Sequence, residues 1–130
     1  MPQFLCHLWG DYILQSDWMA QNKAKRWFPA TIHAFLYSLA FLLLHPSLLA
    51  WCAICGTHLL IDRFRLARYV VWAKNWMAPW GANLQWRNCS KTGYLDDDRL
   101  GPPAWMAVWL LIIADNVLHL TINYAALRWL

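Results

Sequence analysis

The chain is 130 residues long, 60% apolar and only 14% charged, with 11 Trp and a net charge of +4. Soluble domains carry roughly 25% charged residues, so this balance excludes an ordinary soluble fold and predicts one membrane-embedded domain over residues 1–130. So small a basic excess is explained by membrane topology, and no nucleic-acid partner is expected.

The predicted architecture is all-α: a polytopic bundle of about four membrane segments plus a Trp-rich interfacial helix or loop. The first segment, residues 4–18, is short for a span of roughly 20 residues and must tilt, re-enter or insert only partly. It sets His7, Asp11 and Gln15 at i, i+4 and i+8, a polar stripe that must face protein or water, with Gly10 beside it for close helix approach. Lys23, Lys25 and Arg26 follow in a polar connection, and Pro29 suits a helix start. The second segment, 29–44, has one polar residue of note, His33, which reads either as a hydrogen-bonded core residue or as a ligand. His45-Pro46-Ser47 is a turn, with His45 a solvated loop residue.

The third segment, 48–66, carries Gly56 and the stretch His58-Leu-Leu-Ile-Asp62, then grades into Arg63, Arg65 and Arg68. In the connection 67–103, Trp72, Trp76 and Trp80 recur every four residues with Lys74 on another face. That pattern fits a helix in the headgroup region, or equally a Trp-rich extension packed on the bundle. Asn83 to Pro103 reads as a polar loop whose run Asp96-Asp97-Asp98-Arg99 is a solvated charge cluster. The last segment, 104–127, contains Asp115 and His119. Cys52-Ala-Ile-Cys55 matches C-x-x-C by letter only, since no βαβ pattern surrounds it.

All seven acids are Asp. Only Asp11, Asp62 and Asp115 fall inside apolar segments, and each has a His four residues away, at His7, His58 and His119. Residues four apart share a helix face, so three helices present matched polar faces. Lys and Arg are concentrated in the first and third connections, which places those connections in the cytoplasm of an inner-membrane, multi-pass protein with both termini on the far side.

Bundles build metal sites from inward-facing carboxylates and imidazoles. His7, Asp11, His58, Asp62, Asp115 and His119 are therefore the expected ligands of a divalent metal, zinc, manganese or iron in preference to calcium. Asp11, His33 and Asp62 are the candidate catalytic groups. Lys23, Arg26, Arg63 and Arg65 would hold a phosphate, although topology alone also accounts for them. The competing reading makes the pairs a buried hydrogen-bonded network that only stabilises the bundle. In a four-span bundle the three pairs meet only if the first segment is short or re-entrant.

His7-Leu-Trp-Gly-Asp11, Gln15-Ser-Asp17-Trp18, Lys23, His33, His58-Leu-Leu-Ile-Asp62 and Asp115 with His119 together resemble the small phage and bacterial membrane proteins grouped as domain of unknown function 3307. The likeness spans nearly the whole chain and departs mainly in the long Trp-rich third connection. In motif style the group is similar to predicted membrane-bound metal-dependent hydrolases, which implies hydrolysis. The function expected is a membrane metalloprotein that hydrolyses a phosphoester, on a lipid head group or a nucleotide, at the cytoplasmic face. The alternative is a non-enzymatic phage-type effector or pore that forms a homo-oligomer through Gly10 and Gly56. Proton or metal transport is a third reading.

Overall fold

The computed structural model describes residues 2–77, 85–96 and 101–130, and within them the chain is helical, with one isolated bridge between Cys89 and Leu95. Helix α1 spans Pro2–Leu8 and runs into a π-turn, Trp9–Ile13, in which the Leu14 N–H donates to the Trp9 carbonyl at 2.9 Å. The chain then leaves helical geometry until Ser16, whose hydroxyl accepts the Met19 N–H and opens α2, Asp17–Asn22. The expected continuous segment to Trp18 is thus broken, and Gln15 does not extend the stripe begun by His7 and Asp11.

Helix α3, Trp27–Phe41, carries Pro29 in its first turn, where a missing N–H costs nothing. A 3₁₀ turn, Leu42–Leu44, prolongs it to His45, which is exposed and takes the left-handed conformation (φ 50°) that ends the helix ahead of Pro46. Ser47 then caps α4, Leu48–Phe64, by accepting the Ala50 N–H at 3.0 Å. Arg65, also left-handed (φ 52°), stops α4. Helix α5 is Ala67–Trp76, and after Pro102-Pro103 the 26 residues of α6, Ala104–Trp129, form the longest helix.

Among the described residues two helices are long and apolar enough to cross a membrane, Trp27–Leu44 and Ala104–Trp129. The expectation of four spans is corrected by length. The first segment stops at Ile13, and the 17 residues of α4 rise about 25 Å, short of a hydrocarbon core of roughly 30 Å.

The chain divides into two compact units, Met1–Arg65 with Leu118–Leu130, and Leu66–Val117. In the first, Cys6, Tyr37, Phe41, Ile54 and Ala126 form an apolar core. Ala30, Ala34 and Ala50 are buried and keep the helix faces there small, which permits close approach. Gly10 is obligatory, because a Cβ would run into the Tyr37 ring. Gly56, expected to pack closely too, has open space at that position.

In the second unit, Val71, Tyr94 and Ala107 make a small core. Gly93 (φ +84°) lies against the Arg68 carbonyl, where no side chain fits. Trp72 stacks with Trp76, while Tyr69 stacks on Trp86 at 4.8 Å with the Arg68 guanidinium over both rings. Burial pushes the Cys89 thiol up, so it is a poor nucleophile. Trp80, Asn83, Asp97, Asp98 and Arg99 lie outside the described residues.

Candidate metal centre

Three helices of the first unit each turn a pair of residues four apart toward one place: His33 and Tyr37 on α3, His58 and Asp62 on α4, His119 and Asn123 on α6. Asp11 joins them from the π-turn. His33, His58 and His119 are each 1% exposed, Asp62 6% and Asp11 8%.

The closest grouping is Asp11, His33, His58 and Asp62, whose donor atoms all lie within 4.8 Å of one another and could hold a metal ion. His33 Nε2 lies 3.2 Å from Asp11 Oδ1, 3.1 Å from Asp62 Oδ2 and 3.0 Å from His58 Nε2. His58 Nε2 lies 3.1 Å from Asp62 Oδ2 and 3.4 Å from Asp11 Oδ1. Two imidazole nitrogens and two carboxylate oxygens thus converge on one point. A neutral imidazole has one proton to give, so the two rings satisfy only some of these close pairs, and the Lys23 ammonium adds a donor toward Asp62 and His33.

His7 stands outside this set. Its Nδ1 faces Asp11 Oδ2 at 3.4 Å and the Tyr37 hydroxyl at 2.9 Å. His119 is not one of these four donors but belongs with Asp62 to a second group that could hold an ion, with Nδ1 3.2 Å from His58 Nδ1 and Nε2 3.5 Å from Asp62 Oδ1. Asp115 sits one turn before His119 on α6, half-buried, in the stretch assigned to the second unit.

The basic residues divide in role. Lys23 reaches the centre, its Nζ 2.8 Å from Asp62 Oδ2 and 3.3 Å from His33 Nε2, with a side chain 20% exposed. Arg63 is engaged structurally: it donates to the Ala24 carbonyl at 2.7 Å and lies 5.0 Å over the Trp27 ring. Arg26 and Arg65 are exposed, one opening α3 and the other closing α4. Trp27 packs edge-on against Phe64 at 5.8 Å, which places both arginines at the same end of this helix pair.

Two further residues support the centre, Tyr37, which the sequence does not single out, and Asn123, which reads there only as added polarity in the last segment. Tyr37 stacks on His58, with ring centroids 3.6 Å apart and planes 15° from parallel. Asn123 donates to the Tyr37 hydroxyl at 2.6 Å. Their signal was the same four-residue spacing, from His33 and from His119.

No curated protein and no solved structure matches the chain. The sequence model of one family matches residues 1–98, a stretch that includes Asp11, Lys23, His33, His58 and Asp62. By that match the chain belongs to the family described as "Protein of unknown function (DUF3307)".

Proposed function

We propose that this is a membrane metalloprotein in which Asp11, His33, His58 and Asp62 hold one divalent ion. The observation that carries the reading is metric: five of the six distances among the donor atoms run from 3.0 to 3.4 Å. A tetrahedron whose six edges were all of that length would have its centre about 2.0 Å from each corner, the length of zinc bonds to imidazole nitrogen and carboxylate oxygen. Calcium needs longer bonds and more oxygens, while manganese and iron accept the donors but fit the tetrahedron less well. Two buried carboxylates are costly without compensating charge, and a divalent ion offsets both.

The activity that suits this centre is hydrolysis of a phosphoester, on a lipid head group or a nucleotide. A divalent ion held there would supply Lewis acidity toward water and phosphoryl oxygen if it took a fifth position beside its four protein ligands. With the two carboxylates balanced by the ion, the Lys23 ammonium is surplus positive charge at the partly exposed side of the site. It would draw in a phosphate, with Arg26 and Arg65 adding attraction at the same end. Asp11, the most exposed of the four ligands, marks where water would enter. Trp27–Leu44 and Ala104–Trp129 would cross the inner membrane with these basic residues on the cytoplasmic side. Exposed Phe35, Leu39 and Leu43 on the first, and Ile113 and Val117 on the second, suit lipid better than water.

One observation favours a second, non-enzymatic reading: four protein ligands complete a tetrahedral shell, as purely structural zinc sites do. The chain would then be a membrane effector stabilised by its metal. Elemental analysis of detergent-purified protein tests the first step. Wild type should hold one zinc-class ion per chain and Asp62→Asn close to none; a metal-free, folded wild type after reconstitution would sink the proposal. Phosphodiesterase turnover that requires the metal then separates enzyme from effector.

A further inference from the structure

The structure assigns His119 the task of positioning both His58 and Asp62 without binding the ion itself. This rests on the metal reading above and adds the outer layer of the same site. If His58 meets the ion through Nε2, that nitrogen must present its lone pair, and the proton of the neutral ring sits on Nδ1. His58 Nδ1 lies 3.2 Å from His119 Nδ1, and two lone pairs cannot face each other at that distance. His58 therefore donates to His119. The His119 proton is then on Nε2, which faces Asp62 Oδ1 at 3.5 Å, the carboxylate oxygen opposite the one turned to His33 and His58. One buried ring so fixes the tautomer of a histidine ligand and the orientation of a carboxylate ligand, the usual work of groups behind a metal site.

The neighbours of His119 agree. Its ring lies 4.2 Å from that of His58, whose other surroundings include the stacked Tyr37. One turn further on α6, Asn123 holds the Tyr37 hydroxyl. Helix α6 thus braces a centre whose donors come from the π-turn, α3 and α4. His119 Nδ1 is taken by His58 and Nε2 faces Asp62 Oδ1 at 3.5 Å, so neither nitrogen is among the four converging donors.

Zinc(II) titration of the full chain in detergent tests this, with wild type, His119→Leu, His119→Gln and Asp62→Asn compared. His119→Leu should weaken zinc binding by about 10- to 100-fold while still taking up the wild-type number of ions at saturation. His119→Gln keeps one acceptor and one donor and should recover most of that loss. Undiminished affinity in His119→Leu overturns the positioning role and leaves the metal reading standing. Loss of a full equivalent of zinc makes His119 a ligand and overturns it as well. Absence of zinc from wild type removes the metal reading itself. Should His119→Leu not fold, cobalt(II) absorption of His119→Gln decides: tetrahedral bands must persist, and their disappearance counts against the role.

Discussion

The two units handle their polar residues in opposite ways. In the first, four histidines and two aspartates are at least nine-tenths buried and meet one another at 3.0 to 3.5 Å. In the second, the interior is apolar and the cations lie over rings, Arg68 above Tyr69 and Trp86, Lys74 above Tyr94 at 5.3 Å. A cation partly in water that touches a ring gains little, whereas a buried carboxylate must find compensating charge or pay heavily in free energy. Burial, not residue type, separates a candidate site from a decorated surface.

That contrast can be broken by substitution. The largest effect is expected from Gly10→Ala, whose Cβ would meet the Tyr37 ring and, through it, disturb His58. Overpacking should cost about 3 kcal/mol and weaken zinc binding, read by thermal unfolding in detergent and by metal content. Tyr37→Phe removes the hydroxyl that links His7 to Asn123 and should cost about 2 kcal/mol, with the stacked ring retained. Ser47→Ala loses the cap of α4 and the bond to the Leu130 carbonyl, for about 1 kcal/mol. In the second unit Arg68→Ala should cost about 0.5 kcal/mol. An Arg68 effect equal to that of Tyr37→Phe would erase the distinction between the units.

Much of the centre was legible because helices repeat. The pairs His7 with Asp11 and His58 with Asp62 stood out as polar residues one turn apart in apolar stretches, and His33 as the one polar residue of note in its segment. Which atoms converge was not legible. His33 joined Asp11, His58 and Asp62 in the four-donor group, while His119 falls in a second possible group, because that depends on how helices rotate against one another, and no local pattern encodes rotation. Lys23 was read as a phosphate holder, and it lies against Asp62. Four spans were expected because hydropathy averages over windows. It ignores the break after Ile13 and the left-handed Arg65 that cuts α4 short. The π-turn was invisible for a related reason: the i, i+4 pattern fits an α-helix equally well, and the contact of Gly10 with Tyr37 comes from a residue far along the chain.

The π-turn also bears on how this chain tolerates changes of length. A wider turn holds one residue more than an α-turn in the same rise, so a single-residue deletion within Trp9–Ile13 can close up into ordinary helix and leave the backbone hydrogen-bonded. The cost falls elsewhere, since each residue removed turns everything beyond it by about 100° around the helix axis. A deletion ahead of Asp11 would keep the segment helical while carrying that carboxylate off the face it shares with His33 and His58. Insertions and deletions there would separate the ability to fold from the ability to assemble the centre.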